Sequence, residues 1–413
     1  MKVLVIGSVY PRFQEDAEVP WLRTSIAHLK KAGAEIQVLA PAYKGLKSHD
    51  IDGTHVNRFR YAPASWEILT HEEGAPSKMA SKPWLQLLAI PYIINGFFQC
   101  IRICRKWRPD VIHAHWPFPH AYIALGAAKL FRIPLVLNFH GAELLLIRKK
   151  KWVKPLLKFA IGQAQAVFAN SSFTAGKIKA LRNVDVEWSP YGTTLEGRTG
   201  KALQTKDEQL PVPHPVNGKF KILFVGRHIE RKGICYLIEA AKYLPKDKFE
   251  IRIVGVGDLT EQLKQQAALL DERQKTKDER TQSASIIFTG KLSPEALANE
   301  YKTANVFVLP AIVDHKGDTE GLGVVLIEAM ELGLPIIASN VGGIPDVVVD
   351  GESGILVPEK DPVALADAFK RLEANPTLIQ KLLAGARKRI DECFTWDGII
   401  ERQVEVYKRL QRS

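Results

Sequence analysis

Cysteine is scarce in this chain and its four positions are scattered. Cys100, Cys104, Cys235 and Cys393 among 413 residues suit neither a disulfide framework nor a four-ligand zinc site. Cys100 and Cys104 share one face of a predicted helix, where we expect a role in the core. The N-terminal residues 1–7 lead into Ser8 without the cleavage region of a signal peptide, so they predict a first strand and a cytoplasmic location.

Charged residues are missing from positions 84–101. These 18 residues reach the length at which a membrane span is considered. Polar or helix-breaking residues interrupt the stretch at Gln86, Pro91, Asn95, Gly96 and Gln99. The sequence therefore predicts a long, mostly buried helix rather than a span.

The net charge of +12 lies entirely in the N-terminal half. Residues 1–195 carry 26 Lys and Arg against 13 Asp and Glu, whereas the remaining residues carry 31 against 32. A basic half can serve nucleic acid, an anionic membrane surface or an anionic substrate, and composition leaves the three open. Nothing in the sequence resembles an element that reads a nucleic-acid groove, so we expect no nucleic-acid partner.

One basic segment, residues 147–159, mixes cations with large apolar side chains. Lys149, Lys150 and Lys151 stand directly before Trp152. This pattern is typical of a segment that lies on an anionic bilayer and also of a solvated basic helix. The four residues are candidates for contact with a membrane or an acceptor, and both interpretations stay open.

Short apolar runs alternate with amphipathic stretches in both halves of the chain. This alternation predicts an α/β protein with two doubly wound, Rossmann-like domains of mostly parallel strands, and the length allows each its own core. Residues 201–217 are polar and contain three prolines, which marks a boundary. We predict domains at 1–195 and 219–395, a linker at 196–218, and a C-terminal helix, 396–413, that crosses back to the first domain.

The most informative segment, residues 318–330, carries two glutamates eight positions apart. Apolar runs on either side predict strand, loop, helix and strand, with the helix starting near Gly323 and ending at Gly333. Glu320 then lies on the loop and Glu328 about one turn inside the helix. Glycines and a helix start favour phosphate, while carboxylates suit hydroxyl groups, so the expected ligand carries phosphates and many hydroxyl groups. A nucleotide sugar is one such molecule.

A second basic motif follows the first predicted strand of the C-terminal half. Arg227 offers a planar fork and Lys232 a point charge for phosphate, at a glycine-containing turn into a helix. An exposed basic turn is the plainer interpretation of this motif alone. Its place in the same predicted domain as Glu320 and Glu328 favours a shared anion site.

The motifs of the C-terminal half resemble those of retaining glycosyltransferases of family four, which have the GT-B fold of two domains facing a cleft. The resemblance rests on residues 226–233, 320–330, 342–346 and 354–358, and more loosely on 110–115, 140–141 and 169–172 of the N-terminal half. The insertion 314–318 resembles the branch that builds exopolysaccharides. Where the family often has a Gly-Gly loop, this chain has residues 11–18, and their contact with donor or acceptor is left open.

The resemblance implies specific roles for individual residues. Arg227 and Lys232 would neutralise the donor diphosphate, Glu328 would hold the ribose, and His140 would face the sugar. The sugar would be held by Glu320 and its neighbours, and the base would lie against a second short segment. These further donor-binding residues are Gly321, Leu322, Gly323, Lys291 and Leu292.

No cofactor or metal site is predicted. Asp50 and Asp52 fit a D-x-D pattern but stand in a predicted turn, and His113 and His115 share a strand face without a third ligand. The resemblance implies a retaining transferase acting on a UDP- or GDP-sugar and a glycan or lipid-linked acceptor. With Arg227 and Lys232 available for the diphosphate, we expect it to be metal-independent. A nucleotide-sugar epimerase and a non-catalytic nucleotide-sugar-binding protein remain alternatives.

Overall fold

A computed structural model describes residues 1–16, 18–72, 75–193, 218–272 and 283–412. The chain divides into two compact units, one of Met1–Tyr191 with Trp396–Ser413 and one of Gly192–Thr395. The predicted linker at 196–218 lies outside the described residues, apart from Gly218.

In the first unit the described residues form an eight-stranded sheet. Its order is β3-β4-β2-β1-β5-β6-β7-β8, and only the β3–β4 pair is antiparallel. Val3 pairs with Ile36 on one side and with Val111 on the other, which places β1 between β2 and β5. The strands are β1 Lys2–Ile6, β2 Glu35–Pro41, β3 His49–Ile51, β4 Thr54–Phe59, β5 Val111–His115, β6 Leu135–Phe139, β7 Ala166–Ala169 and β8 Glu187–Trp188.

Helices cover both faces of this sheet. The α-helices of the N-terminal half are α1 Pro20–Lys31, α2 Ala75–Ser81, α3 Ala89–Trp107, α4 Pro117–Phe131, α5 Ala142–Lys149, α6 Val153–Ile161 and α7 Ser172–Leu181. Side chains of α3, α4 and α6 share one core cluster with the sheet, and α1 contributes to a second cluster on the other face. The helix Trp396–Arg412 packs in that second cluster through Ile400, Val404 and Tyr407.

The long uncharged stretch is helical, but the prediction that it is mostly buried is wrong. A 3₁₀ helix at Pro83–Leu88 leads into α3, and only 33% of an apolar 18-residue window within Pro83–Trp107 is buried. By length and composition alone, Pro83–Trp107 is long and apolar enough to cross a membrane. One face packs on the sheet, where Cys100 and Cys104 are fully buried as expected, and the opposite face is open.

In the second unit the described residues form a six-stranded parallel sheet in the order β11-β10-β9-β12-β13-β14. Its strands are β9 Phe220–Val225, β10 Phe249–Val254, β11 Ser285–Gly290, β12 Val306–Leu309, β13 Ile336–Ser339 and β14 Ile355–Val357. Its α-helices are α8 Ile234–Ala240, α9 Thr260–Glu272, α10 Pro294–Thr303, α11 Val324–Glu331, α12 Ile344–Val347, α13 Pro362–Glu373 and α14 Pro376–Cys393. The helix Trp396–Arg412, which belongs to the first unit, is α15. Both sheets match the predicted doubly wound α/β class.

Candidate donor-binding site

The candidate site lies along the carboxyl edge of the second sheet. Strand β9 has β10 on one side and β12 on the other, so the chain connections diverge there and leave a crevice of the kind that binds ligands in open α/β sheets. Arg227 follows β9, Glu320 follows β12 and Gly342 follows β13. The sheet thus brings together loops that are distant in sequence.

Lys232 and Glu320 form an ion pair at this edge. The Lys232 Nζ lies 2.5 Å from Glu320 Oε2, and both side chains are nearly buried, at 10% and 12% exposed. Arg231 joins the same carboxylate, with Nη1 3.1 Å from Oε2, and it also donates to the Thr319 carbonyl oxygen at 3.4 Å. Its Nε lies 3.5 Å from Asp318 Oδ2. We call Arg231, Lys232, Asp318 and Glu320 the charged cluster.

The charged cluster keeps Glu320 ionised. Burial disfavours a charged carboxylate, but attraction to Lys232 and Arg231, with their hydrogen bonds, outweighs burial and lowers the pKa of Glu320. Asp318 behaves differently, because burial raises its pKa despite the attraction of Arg231. The carboxylate of Glu320 is therefore a hydrogen-bond acceptor at neutral pH.

Two glycines allow the loops of the site to pack backbone against backbone. Gly233 has φ +65°, and a Cβ there would lie 1.8 Å from the Pro310 carbonyl oxygen. Gly342 has φ +61°, and a Cβ there would lie 2.2 Å from the Glu320 carbonyl oxygen. Gly343 N–H donates to that oxygen at 3.0 Å. A side chain at position 233 or 342 would push these loops apart and so displace Lys232 or Glu320.

Helix α11 begins and ends as the sequence predicts. Gly323 precedes it with φ 88°, and Gly333 follows it with φ 73°, both in the region that favours glycine. Glu328 is buried in α11, at 2% exposed. Gly321 is half-buried, whereas Leu322 is buried in the loop between Glu320 and the helix start.

Arg227 differs from Lys232 in its exposure and its partners, although the resemblance implies that both contact the diphosphate. Its side chain is exposed, and within the described residues its guanidinium makes no hydrogen bond or ion pair. Lys291 is exposed and Leu292 half-buried just after β11, the edge strand two positions from β9. These residues share the carboxyl edge of the sheet, and the charged cluster occupies its middle.

Sequence reasoning missed Arg231 as a member of the site. Arg231 directly precedes Lys232 in the basic motif that follows β9. The 3₁₀ turn Glu230–Lys232 directs both side chains to the loop after β12, where they share Glu320. Two adjacent cations before a glycine were a visible signal, but the shared carboxylate lies 88 residues away from Lys232.

His140 lies at the carboxyl edge of the first sheet, directly after β6. Its Nε2 is 3.1 Å from His115 Nδ1, and its Nδ1 is 2.5 Å from the Tyr191 hydroxyl. The rings of Trp21 and Trp116 lie with centroids 4.8 Å from that of His140. Both ring nitrogens therefore have partners within the first unit.

Burial controls the protonation of groups around His140. Burial lowers the pKa of His140 to about 3, so its imidazole is neutral at pH 7. Tyr191 is kept protonated because burial raises its pKa. A tyrosine O–H donating to His140 Nδ1 and an Nε2–H donating to His115 would satisfy both contacts. Burial also raises the pKa of Glu143 to about 7, and its carboxyl oxygens each lie 3.3 Å from the His140 backbone nitrogen.

The side chains of the two patterns that resemble metal sites contact other residues. Asp52 pairs with Arg23 at 2.6 Å, and Asp50 lies 2.7 Å from His55. His113 and His115 share a strand face as predicted, with ring centroids 4.3 Å apart. In the parts of the chain that the structure describes, no three or more His, Cys, Asp or Glu side chains are grouped to hold a metal ion.

The candidate membrane segment is well exposed. Lys149, Lys151 and Trp152 are exposed and Lys150 is half-buried, at the junction between α5 and α6. Trp152 is 57% exposed and packs edge-on against Phe118, with ring centroids 5.8 Å apart. The segment therefore presents cations and an aromatic ring together on the surface.

The loop at residues 11–18 is tied to its own unit. Arg12 Nε lies 2.7 Å from Asp16 Oδ2, and the Arg58 guanidinium donates to the carbonyl oxygens of Tyr10 and Pro11 at 2.9 and 2.5 Å. Within this fold the loop follows β1, at the same edge of the sheet as His140.

Comparison with known proteins identifies the family. The model for glycosyl transferases group 1 matches residues 205–389, and the model for glycosyltransferase family 4 matches residues 22–190. A glycosyltransferase of Methanocaldococcus jannaschii is 32% identical over 403 residues, covering 92% of this chain and 91% of the relative. The chain belongs to glycosyltransferase family 4. It is a transferase of glycosyl groups, as the resemblance of its motifs implied.

A further relative and two solved structures are also similar. A teichuronic acid biosynthesis glycosyltransferase of Bacillus subtilis, TuaC, is 26% identical over 90% of this chain and 89% of its own length. Sucrose-phosphate synthase from Thermosynechococcus elongatus superposes with a TM-score of 0.71 at 20% identity, covering 99% and 98% of the two chains. HepE of Anabaena in complex with UDP gives 0.66 at 18% identity, covering 99% and 100%. These likenesses show the GT-B fold, as predicted.

Proposed function

We propose that this glycosyltransferase moves a sugar from a UDP- or GDP-sugar to a hydroxyl of a glycan or lipid-linked acceptor, with retention at the anomeric carbon, in the synthesis of cell-surface polysaccharide. The observation that carries the proposal is the charged cluster, in which cations and an ionised carboxylate meet at the crevice beside β9. Such a site suits a ligand with both phosphates and hydroxyl groups. The UDP held by HepE and the pathway named for TuaC support the donor class and the pathway.

Arg227 and Lys232 act on the donor diphosphate. As the bond from the anomeric carbon to the phosphate oxygen breaks, negative charge grows on the leaving diphosphate, and fixed cations stabilise this charge in the transition state. Arg227 is free to form a bidentate contact, and Lys232 is held in place by Glu320. The two cations supply neutralisation without a divalent ion or other cofactor.

Glu320 and the following loop hold the sugar. The ionised carboxylate accepts hydrogen bonds from sugar hydroxyls, and the backbone at Gly321, Leu322 and Gly323 approaches the same ring. Glu328 binds the ribose hydroxyls, and the base lies against the backbone at Lys291 and Leu292. The binding energy of these contacts positions the anomeric carbon for transfer.

Transfer proceeds on the front face of the sugar. The acceptor oxygen bonds to the anomeric carbon as the bond to the diphosphate oxygen breaks, and the acceptor proton passes to that departing oxygen. No carboxylate of the protein is required as a nucleophile. We assign the acceptor to the N-terminal unit and a contact with the transferred sugar to His140, which presents a neutral imidazole at pH 7.

The N-terminal unit attaches the enzyme to the cytoplasmic face of the plasma membrane. Lys149, Lys150, Lys151 and Trp152 supply cations and an interfacial aromatic ring, which suit an anionic bilayer. Such attachment brings the enzyme to a lipid-linked acceptor.

A donor screen followed by a transfer assay tests the proposal. A panel of UDP- and GDP-sugars is compared for thermal stabilisation, because a ligand that binds the native state raises the melting temperature. The stabilising donor is then offered with lipid-linked glycan acceptors, and the anomeric configuration of the product is determined by NMR. Isomerised nucleotide sugar without an acceptor would favour an epimerase, and inversion would contradict the assigned mechanism.

A further inference from the structure

The outward face of α3 carries a stripe of large apolar side chains. Ile90, Ile94 and Phe98 are 67%, 49% and 63% exposed, and their four-residue spacing places them along one side of the helix. Leu87, in the turn that precedes α3, is 75% exposed. Single exposed apolar residues are common on proteins, but a continuous exposed stripe marks an interaction surface.

The opposite face of α3 is fixed to the sheet. Tyr92 and Cys100 are buried, and the Tyr92 hydroxyl is 3.0 Å from His120 Nε2. Gly96 allows close packing on α4, because a Cβ there would lie 2.7 Å from Ile123 Cδ1. A transmembrane position would require these contacts to break. The helix is therefore placed to lie along a surface rather than to cross a membrane.

The charged residues of the segment that carries the stripe are all positive. Residues 74–109 contain no Asp or Glu. Arg102, Arg105 and Lys106 are exposed in the last turns of α3, and with Phe98 and Ile101 they line a shallow surface groove. The groove thus joins the end of the apolar stripe to three cations, an arrangement that suits an anionic group on an apolar chain.

The neighbouring helices α4 and α6 also expose apolar and cationic side chains. Helix α4 packs on α3 and α6 packs on α4, and their exposed apolar residues include Leu130 at 64% and Phe159 at 47%. Lys129 Nζ lies 5.9 Å from the centre of the Phe159 ring. Residues 111–184 contain a single acidic residue, Glu143, which is buried. Between residues 74 and 184 the one other acidic residue of the sequence is Asp110, just before β5, which is exposed and accepts from the Lys2 backbone N–H. The helices of this layer themselves expose cations and apolar groups.

We propose that the outward face of α3 is a docking surface for an anionic lipid bilayer. Ile90, Ile94 and Phe98 enter the boundary between headgroups and acyl chains, while the cations of the groove bind lipid phosphates. A second copy of the chain is disfavoured as occupant, because it would bring the same cationic face without carboxylates to neutralise it. The inference rests on the membrane attachment in the proposed function and extends the attached surface from the Lys149–Trp152 segment to α3.

Vesicle co-sedimentation of the full chain tests the docking surface. The phosphatidylcholine vesicles used contain or lack phosphatidylglycerol, and binding is measured at low and high salt. The apolar variant carries Ile90→Ser, Ile94→Ser and Phe98→Ser, and the charge variant carries Arg102→Gln, Arg105→Gln and Lys106→Gln. A matched control replaces three exposed apolar residues of the second unit, with Tyr243→Ser, Leu269→Ser and Val363→Ser. Circular dichroism and thermal melting verify folding of each variant.

The expected result is salt-sensitive binding of the wild type to anionic vesicles and unchanged binding of the control. The apolar variant should bind more than about tenfold more weakly, because it withdraws three large side chains from the bilayer. The charge variant should lose the preference for phosphatidylglycerol. Wild-type affinity of the apolar variant would overturn the inference.

Two further outcomes separate this inference from the proposed function. If Lys149→Glu, Lys150→Glu and Lys151→Glu together abolish vesicle binding and the α3 variants do not, the attachment stands and the α3 surface is refuted. If vesicle binding depends on α3 but no donor or transfer is found, the docking surface stands and the proposed function fails. A wild-type dimer that the apolar variant dissociates, without vesicle binding, would identify a second copy as the occupant and refute the inference.

Discussion

Lys232 Nζ and Glu320 Oε2 are 2.5 Å apart, so two side chains assigned to different parts of the donor form one ion pair. Both side chains are nearly buried, and in such a place the loss of one partner leaves the other charge uncompensated. Glu320 therefore fixes the position of the cation proposed for the diphosphate, and Lys232 keeps the carboxylate ionised. The two residues are expected to behave as one functional unit.

Replacing either member of the pair should abolish most transfer. We expect Lys232→Met and Glu320→Gln each to lower kcat/KM by about 100-fold or more, because each removes a charged contact with the transition state. The double variant should lose about as much as the worse single variant, since residues that act as a unit are not additive. Steady-state transfer kinetics of the three proteins measure this coupling.

An exposed ion pair in the same unit supplies the control. Lys264 Nζ lies 2.9 Å from Glu261 Oε1 on α9, with side chains 48% and 78% exposed. Lys264→Met and Glu261→Gln should leave transfer unchanged, because surface pairs contribute little. Near-normal turnover in both Lys232→Met and Glu320→Gln would contradict the assignment of the site.

Replacing Arg231 should affect stability and kcat, whereas replacing Arg227 should affect the donor KM. Arg231 contacts Asp318, Thr319 and Glu320, so we expect Arg231→Met to lower stability by about 1–3 kcal/mol, seen as a lower melting temperature, and to reduce kcat. Arg227 is exposed and free among the described residues, so Arg227→Met should keep the melting temperature and raise the donor KM about tenfold. Equal melting shifts in the two variants would refute the positioning role of Arg231.

Local patterns in the sequence predicted much of the fold. Gly323 and Gly333 bracket α11 as expected, because left-handed backbone at helix ends favours glycine. The hairpin of β3 and β4 was missed. Its turn is formed by Asp52 and Gly53, which both have positive φ. An Asp-Gly pair of this kind is a known hairpin signal, but the flanking strands are short and polar.

Other features depended on information that no local pattern contains. The apolar residues of α3 cover a wider arc of the helix than one packed face needs, so the sequence could not reveal which part of that arc stays open. The pairing of Lys232 with Glu320 joins positions 88 residues apart. Adjacency of β9 and β12 creates that contact, and this adjacency is a property of the sheet order.

The C-terminal helix should stabilise the first unit through one buried hydrogen bond. The Tyr407 hydroxyl is 2.6 Å from His113 Nδ1, and both side chains are buried. Tyr407→Phe removes the partner of a buried imidazole, so we expect it to reduce the free energy of unfolding by about 1–3 kcal/mol. Denaturant unfolding measures the loss. Arg409→Ala, which removes an exposed pair with Glu187, should cost under about 1 kcal/mol, and an equal effect of the two changes would contradict the prediction.

Glu143 should make the first unit less stable as pH rises. Burial raises its pKa from 4.5 to about 7, so between these values the folded protein holds a proton that the unfolded chain has released. The stabilisation from this proton is fully present below pH 4.5 and is lost as pH rises through 7. Glu143→Gln removes the titration while keeping the shape and an oxygen that can accept from the His140 backbone N–H.

The difference in unfolding free energy between Glu143→Gln and the wild type therefore isolates this group. It should shift in favour of the variant by about 1–3 kcal/mol between pH 4.5 and pH 8, because one pKa unit corresponds to about 1.4 kcal/mol. The buried imidazoles of His113 and His140, whose pKa values burial lowers to about 3, favour stability as pH rises, but they are present in both proteins and cancel in the difference. Denaturant unfolding at several pH values, with exposed Glu261→Gln as the control, measures the shift. A difference that does not change with pH would mean that Glu143 ionises normally and that its carboxylate is solvated in the folded protein.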